Sequence, residues 1–184
     1  YRAQLRNEFQ FFDLGGGNYQ VENADRTLHQ GIEAALRATL VEQLFGTTRD
    51  ALLLDLAWTY SDFAFDDDAS WNSNDLPGAP HQYLRAVLRY QHPQGFYLAP
   101  DLEWVPQGYF VDNANGVRTD AYALLGVRAG YDSNRRWALA IDARNLLDHR
   151  YIASSSVTGI ANPNSALFEP GSGFAISAAL TLRW

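Results

Sequence analysis

The amino-acid sequence predicts an all-β fold, a transmembrane antiparallel β-barrel. Three observations lead to this prediction. The chain consists of about eight segments in which apolar and polar residues alternate, as in strands whose two sides face different surroundings. The connections between these segments are alternately short and long, as in transmembrane barrels. Aromatic residues gather at the segment ends, where the two surfaces of a bilayer would lie.

Eight meander strands are predicted, at residues 1–12, 27–40, 52–60, 83–90, 96–104, 121–131, 137–144 and 173–184. The last is the clearest, because it alternates apolar with small or polar residues up to a terminal Trp184. Helix formers are frequent in 33–42, but Glu33 and Arg37 keep the parity of the polar side, which favours a strand. Pro100 stands inside the fifth strand, where we expect a bulge.

The connections predict which strand ends share a membrane surface. Short turns are expected near 43–50, 91–95 and 132–135, and longer loops near 13–25, 62–80, 107–119 and 149–172. If the short turns are periplasmic, two aromatic bands with the parity of the apolar side chains result. The periplasmic band would contain Tyr1, Tyr90, Phe96, Tyr131, Trp137 and Trp184, and the opposite band would contain Trp58, Tyr60 and Trp104.

The charges of the strands predict which side faces the lumen. One side carries Arg85, Arg89, Asp101, Glu103, Arg128, Asp142 and Arg144, whereas the other is nearly free of charge. A soluble eight-stranded barrel such as a lipocalin would place its apolar side inside. Here the aromatic bands share the parity of the apolar residues, which places the apolar side on lipid. A charge at the centre of that side would cost about 2–4 kcal/mol.

Composition narrows the class of protein further. The 184 residues suffice for one domain, 1–184, and contain no cysteine for a disulfide or a thiolate metal site. The net charge of −7 argues against nucleic acid as a partner. No methionine is present and the chain begins within an alternating segment, so we expect a piece of a longer protein.

Four segments resemble a known family, the TonB-dependent outer-membrane receptors. Residues 145–151, Asn-Leu-Leu-Asp-His-Arg-Tyr, resemble the Asn-Leu-Phe-Asp-Lys-Arg-Tyr of the family, with Leu147 and His149 as departures. Residues 170–174 resemble its Pro-Gly-Arg entry to the last strand, without the arginine. Residues 23–33 and 76–81 resemble its Asn-x-Gly-x-Thr-x-x-x-Gly-Val-Glu and Pro-Gly-x-Pro-x-His segments.

The resemblance implies a barrel of 22 strands, of which these would be the last eight, with the plug domain and the TonB box missing. It implies import of a scarce ligand, most simply a ferric siderophore, across the bacterial outer membrane. The expected partners are outer-membrane lipid, the protein's own plug domain, the TonB system, the barrel assembly machinery and a small-molecule metal chelate. The seven charged residues named above would face the lumen and the plug, and Trp184 would be an assembly signal.

Ligand contacts are expected in the long loops, from Trp71, His81, Tyr109 and Arg118, whose aromatic and cationic groups suit metal chelates. No cofactor and no metal site of the protein itself is expected. Asp66 to Asp68 do not begin an EF-hand, because Trp71 and Pro77 stand where that loop needs glycine and glutamate. The four histidines lack metal-ligand spacing.

Two other functions remain open from the sequence. The chain could be a self-contained eight-stranded outer-membrane barrel with a structural or adhesive role, or a soluble all-β binding barrel. An enzyme is disfavoured, since the serines, aspartates and histidines of the loops show no catalytic pattern beyond what chance supplies.

Overall fold

The computed structural model describes residues 1–45, 49–133, 136–162 and 164–184, with the side chains at 12, 13 and 15 left aside. It contains ten strands and, within these residues, no helix with the length and apolarity to cross a bilayer. The strands are β1 (Arg2–Gly15), β2 (Asn18–Glu42), β3 (Ala51–Phe65), β4 (Gln82–Gln91), β5 (Phe96–Val105), β6 (Tyr122–Asp132), β7 (Trp137–Arg144), β8 (Ile152–Ser155), β9 (Phe168–Pro170) and β10 (Ala175–Leu182).

Eight of these strands form one antiparallel sheet in the order β1-β2-β3-β4-β5-β6-β7-β10. Every strand of this sheet pairs with its neighbour in the chain, apart from the step over the small β8–β9 hairpin. The predicted all-β meander of eight strands is therefore confirmed. Within the described residues β1 and β10 each have one partner, so the sheet is open at both edges.

Pairing across β2 to β7 and β10 keeps most apolar residues on one side, which we call the apolar face. In β1, by contrast, Ala3 and Leu5 lie opposite His29 and Thr27 on the other side. Leu56 lies opposite Leu36 and Ala86, and Leu102 lies opposite Leu125 and Ala86. Large side chains of this face stay exposed along the whole sheet, as Ile32, Leu98 and Leu180 illustrate. An exposed apolar surface of this extent needs a cover of the same polarity.

A band of aromatic contacts follows the apolar face at the end with the short turns. Phe45 meets Tyr90 with ring centroids 5.8 Å apart, and His92 lies between Tyr90 and Phe96 at 6.3 Å from each. Phe96 meets Tyr131 at 4.6 Å, and Tyr131 meets Trp137 at 5.1 Å. At the long-loop end Trp58 and Tyr60 stack at 6.4 Å. Two bands at the two strand ends match the predicted arrangement.

Tyr1 is an exception, and its predicted place in the periplasmic band is wrong. Its backbone pairs reciprocally with Gly31, which lies opposite Ser61 near the long-loop end of β3. Its ring contacts Phe63 at 6.3 Å and therefore lies on the polar face. The β1–β2 ladder covers residues 18–30 of β2, whereas the β2–β3 ladder covers residues 27–42, so the two ladders overlap only near the long-loop end.

The long loop predicted near 13–25 is also wrong, because β1 and β2 continue through it to a turn at Gly16 and Gly17. Both glycines have positive φ, 63° and 79°, which a two-residue hairpin turn of the favoured hand requires. Composition alone marks three glycines as a loop, but here two of them suffice for the turn. Next to that turn Tyr19 and Val21 alternate with Gln20 and Glu22, with the opposite parity to Leu28.

Two smaller expectations are corrected as well. Pro100 produces no bulge: β4 and β5 keep the same register on either side of it, as Val87–Asp101 and Tyr90–Leu98 show. The loop expected at 149–172 contains the β8–β9 hairpin, which the sequence analysis did not foresee. Of the expected short turns, residues 46–48 and 134–135 lie outside the described residues.

Tyrosine rings cover glycines on the polar face. Tyr97 lies directly opposite Gly130, and a Cβ at Gly130 would come within 2.7 Å of the Tyr97 ring and 2.4 Å of the Leu139 carbonyl oxygen. Tyr1 covers Gly31 in the same way. Such a ring fills the gap that a glycine leaves in a pleated sheet.

The two faces can be tested with adjacent residues of β7. Ile141 lies on the apolar face, whereas Ala140 lies on the polar face opposite Gly130 and Ala179. We expect Ile141→Arg to reduce the folded fraction in membranes severely, because a charge in lipid costs about 2–4 kcal/mol. Ala140→Arg should fold with much smaller loss. Equal amounts of heat-modifiable folded protein on a gel would contradict this assignment of faces.

The Tyr97–Gly130 contact gives a second prediction. Gly130→Val should lower the free energy of unfolding by about 1–3 kcal/mol, because the new side chain overlaps a carbonyl and the ring. Urea unfolding in lipid vesicles measures this change. Ala129→Val, on the apolar face of the same strand, is the control and should change the free energy by less than about 0.5 kcal/mol. A similar loss in both variants would argue against a specific role of the ring.

Candidate functional site

The polar face carries ion pairs between β2 and β3 and between β6 and β7. Arg37 of β2 pairs with Asp55 of β3. Asp142 accepts hydrogen bonds from two arginines, with Arg128 Nε at 3.1 Å from Oδ2 and Arg144 Nε at 3.0 Å from Oδ1. The structure places all seven charged residues predicted for the lumen on this face: Arg85, Arg89, Asp101, Glu103, Arg128, Asp142 and Arg144. Whether a plug covers them stays a prediction.

A cleft of about 350 Å³ lies on this face beneath the connection from β7 to β10. Both charge signs line it, from Arg85 and Arg128 to Asp101 and Glu103, together with Tyr151 of the connection above. The Asp101 carboxylate rests on Gly126, where a Cβ would stand 2.5 Å from Oδ2. The cleft can therefore receive polar groups of either sign, and only a glycine at 126 leaves room for the acid.

Phenol groups tie the loop above the cleft to the sheet. The Tyr122 hydroxyl donates to Glu103 Oε1 at 3.1 Å, and the Tyr122 ring meets the Tyr151 ring at 4.9 Å. Tyr151 lies against Gly171, where a Cβ would come within 2.1 Å of the ring. Residues near the start and the end of the β7–β10 connection are thereby fixed to β5 and β6.

The long connections pack against each other above the sheet. We name them by their strands: the β3–β4 loop is 66–81, the β5–β6 loop is 106–121 and the β7–β10 loop is 145–174. A small apolar core of Tyr109, Val111 and Leu167 joins the last two. Asp112, 1% exposed, accepts backbone N–H bonds from Gly116, Val117 and Ala161.

Three of the four predicted ligand residues come together beside Phe63, and one does not. His81, Tyr109 and Arg118 surround one narrow depression. Trp71 instead packs beside Phe65, with ring centroids 6.4 Å apart, and against the glycine at 159. Whether any of the four contacts a ligand stays a prediction.

The availability of these residues differs. Tyr109 is 8% exposed and belongs to the loop core, so its contacts in this conformation are structural. The Arg118 guanidinium is exposed, lies 4.5 Å from the centroid of the Phe110 ring and donates to the Gly108 carbonyl at 2.8 Å. Arg118 is exposed whereas His81 is half-buried, so Arg118 is the more accessible of these two basic side chains of the depression.

His81 is bonded through both ring nitrogens. Nδ1 lies 2.9 Å from the Ser61 carbonyl oxygen, and Nε2 lies 3.0 Å from Oδ2 of Asp75. Asp75 is in turn bonded through its backbone to the side chain of Asn115, which accepts from Asp75 N at 2.8 Å and donates to Asp75 O at 2.9 Å. These contacts join β3 and both neighbouring loops.

The segment 145–151, singled out in the sequence, forms the base of the β7–β10 loop. Asn145 accepts from His149 N at 2.8 Å and donates to the carbonyls of His149 and Ser172. Asp148 accepts from Phe174 N at 2.8 Å, directly before β10 begins. Asn145 and Asp148 have positive φ, 47° and 49°, a conformation that Asn and Asp tolerate better than other side chains. The motif thus closes the loop by side-chain bonds to backbone.

Asp68 anchors the β3–β4 loop to β2. Its carboxylate accepts from Ser70 N at 2.8 Å, Trp71 N at 3.0 Å and Asp25 N at 3.0 Å. Burial alone would raise the pKa of Asp68, but these three N–H bonds outweigh burial and hold the pKa below its ordinary value. Asp68 was considered in the sequence only as part of an acidic run, and its anchoring role was missed.

The sequence analysis also missed Asp112 and Asn115, which anchor the β5–β6 loop. The available signal is an Asp or Asn followed within four residues by glycine, a pattern typical of side-chain-capped turns. In the described part of the chain no three His, Asp or Glu side chains are grouped to hold a metal ion. Trp184 follows β10 with the parity of Leu182 and is fully exposed.

Comparison with known proteins identifies relatives of this sheet. A family model described as "TonB dependent receptor-like, beta-barrel" matches residues 1–146. The ferric yersiniabactin uptake receptor FyuA of Yersinia pestis superposes with a TM-score of 0.67 at 18% identity over 88% of this chain. The siderophore receptor PiuA of Acinetobacter baumannii superposes with a TM-score of 0.70 at 17% identity over 97%.

The ferric-catecholate import receptor Fiu of Escherichia coli K12 is similar too, with a TM-score of 0.65 at 17% identity over 97% of this chain. At these identities the three superpositions establish the fold. The chain covers 24%, 24% and 23% of the three receptors, so it spans about a quarter of their length.

The Asp68 anchor gives a prediction with a defined pH dependence. Because its folded-state pKa is lowered, the carboxylate stabilises the β3–β4 loop fully above the ordinary aspartate pKa of about 3.9. This stabilisation is lost as the pH falls through the lower folded-state value. Asp68→Asn replaces one acceptor by an N–H donor, and we expect a cost of about 1–3 kcal/mol at neutral pH.

Limited proteolysis at residues 66–72 measures the effect. The loop of Asp68→Asn should be cleaved faster than that of the wild type at neutral pH. Acid should increase cleavage only in the proteins that keep Asp68. Asp67→Asn is the matched control, because the Asp67 side chain is 90% exposed and its contact with Arg26 is 3.6 Å long. Equal cleavage of all three proteins would contradict the anchoring role.

Proposed function

Because the chain belongs to the family of TonB-dependent receptor β-barrels, we propose that it is the C-terminal part of the barrel of a receptor that imports a ferric siderophore or a similar iron complex. The family is one of transport receptors, not of enzymes, and is bacterial and outer-membrane. The observation that carries the proposal is the open sheet in which β4 to β7 place all their charged residues on one face and leave the other face uncharged. Structural neighbours that take up ferric complexes or siderophores support the cargo class.

The charged face suits a protein domain that fills the lumen. Asp142, whose side chain is 21% exposed, holds Arg128 and Arg144 in place, while the Arg144 side chain stays 74% exposed. A guanidinium oriented by one carboxylate keeps donors free for a second acceptor, such as a backbone carbonyl of a plug. We therefore infer that the seven charged residues contact the receptor's own plug, which acts with the TonB system.

The apolar face and its aromatic bands suit the lipid of the outer membrane. The barrel assembly machinery would act on the last strand, where Trp184 continues the apolar parity of β10 as the proposed assembly signal. The packed loops would form the extracellular mouth. There Arg118 and His81 are the first candidates for contact with a metal chelate. Trp71 lies outside their depression and is a weaker candidate, and Tyr109 belongs to the loop core and would support the site indirectly.

A self-contained eight-stranded barrel would need β1 to pair with β10. In the described residues these strands lie at opposite edges of the sheet, and seven ladders separate them. Open edges are costly in lipid, since each unpaired backbone N–H or C=O group raises the free energy by several kcal/mol there. A wider barrel with further strands resolves this cost, which favours the receptor proposal over a structural or adhesive barrel.

Binding of labelled ferric chelates to cells that display the natural protein containing this chain tests the proposal. We expect saturable binding for a hydroxamate, catecholate or mixed ferric complex and uptake that depends on the TonB system. Failure of every ferric complex in such a panel to bind would overturn the cargo class. The lumen assignment would stand independently of that result.

A variant at the mouth sharpens the test. Arg118→Gln should weaken binding of an anionic ferric chelate by about fivefold, which corresponds to the loss of one exposed charge or cation–π contact of about 1 kcal/mol. Arg150→Gln, an exposed arginine of the β7–β10 loop, should change the affinity by less than about threefold. Equal effects of the two variants would contradict the role of Arg118 while leaving transport itself in place.

A further inference from the structure

His81 is held between two hydrogen-bond acceptors. A backbone carbonyl, Ser61 O, lies 2.9 Å from Nδ1, and a carboxylate oxygen, Asp75 Oδ2, lies 3.0 Å from Nε2. A carbonyl oxygen cannot donate a proton, and an ionised carboxylate cannot either. Both bonds therefore exist together only when both ring nitrogens carry hydrogen, which is the imidazolium form.

A neutral imidazole can make only one of the two bonds. If Nδ1 keeps its hydrogen, the lone pair of Nε2 faces the Asp75 carboxylate; with the other tautomer, the lone pair of Nδ1 faces the Ser61 carbonyl. In either case two acceptors are left about 3 Å apart and one contact becomes repulsive. Loss of a single proton thus converts this junction from two bonds to one.

The junction joins two loops and a strand. Ser61 belongs to β3, and Asp75 belongs to the β3–β4 loop. The Asp75 backbone is bonded in both directions to the Asn115 amide of the β5–β6 loop. A further bond in parallel runs from Asn74 Nδ2 to the Asn113 carbonyl at 2.8 Å. Movement of Asp75 away from a neutral ring would therefore loosen the contact between the two loops.

Other ionisable groups near the ring are few. Arg118 of the β5–β6 loop and the phenol of Tyr109 share the depression with His81, and Tyr83 follows it by two residues on the same face of β4. On the other side of Phe63, His29 lies 4.9 Å from the Phe63 ring, with its Nε2 at 3.1 Å from the Glu8 carboxylate. This second histidine also has a carboxylate partner and needs its own control.

We propose that His81 is a pH-operated latch, which in its protonated form holds the β3–β4 and β5–β6 loops together and releases them when it loses its proton. The latch is closed while both ring nitrogens carry hydrogen and loosens when a rising pH removes one of these protons. It goes beyond the proposed import function, since it concerns the mobility of the mouth and requires no ligand. It also gives a structural role to His81, the last residue of the segment 76–81.

Hydrogen exchange at several pH values tests the latch in the natural protein that contains this chain, reconstituted in lipid nanodiscs. Exchange rates are corrected for the intrinsic pH dependence of amide exchange and compared at about pH 5.5 and about pH 8. We expect corrected rates in 74–81 and 112–117 to rise about fivefold or more, the effect of one lost charge-assisted bond. Strand β7 should show no such rise.

Two variants separate the latch from other causes. His81→Gln removes the titrating group, so its corrected rates should not depend on pH. Asp75→Asn should also remove the dependence, because an amide at 75 can accept from a protonated ring and donate to a neutral one. His29→Gln should keep the response of the wild type, since it leaves His81 and Asp75 unchanged.

The outcomes decide the proposal without reference to transport. Flat corrected rates in the wild type, or a response that persists in His81→Gln, would overturn the latch. A response abolished by His29→Gln and kept by Asp75→Asn would overturn it too and assign the effect to the Glu8 pair. Folding of each variant is checked by heat-modifiable migration on a gel, and at least one of the two latch variants must fold for the comparison.

Discussion

Hydrocarbon offers no hydrogen bonds, and this constraint organises the whole sheet. Every strand from β2 to β7 has a ladder on both sides, so its backbone is satisfied without water. The same constraint sorts the side chains, because a charge that faces lipid has no partner there. Charged residues of β4 to β7 consequently lie on the polar face, where Asp142 can bind two arginines at once. The backbone ladders and the placement of the ion pairs therefore both follow from the absence of hydrogen-bond partners in hydrocarbon.

The polar face has a packing problem that the apolar face lacks. Lipid adapts to any surface, but the polar face must fill the gaps between strands with its own side chains. Tyr97 over Gly130 and Tyr1 over Gly31 do so by laying a ring across the neighbouring glycine. Arg89 then lies 5.5 Å from the centroid of the Tyr97 ring and adds a cation to its face. Glycine, tyrosine and arginine thus work as a unit that spans three strands.

Alternation predicted the eight sheet strands, the two faces of β2 to β7 and β10, and the shared face of the seven charged residues, because the side-chain period is visible in the sequence. The position of a strand along its neighbour is not visible in the sequence. Tyr1 resembles any other aromatic residue at a strand end until its pairing with Gly31 is known. A glycine-rich stretch likewise does not say whether it forms a loop or only a two-residue turn. Bonds of Asp68 and Asp112 to distant backbone require the folded loops, so the site was predicted less completely than the sheet.

Above the membrane the balance of forces changes, and this explains why the loops are so rich in Asp and Asn. The loop core is small, with Tyr109, Val111 and Leu167 as its buried members, so hydrophobic burial contributes little there. Order depends instead on side chains that bond to backbone, such as Asp112 and Asn145. Bonds of this kind can be exchanged for bonds to water or ligand at small net cost. Loops held together by such side-chain to backbone bonds can be ordered and can still rearrange.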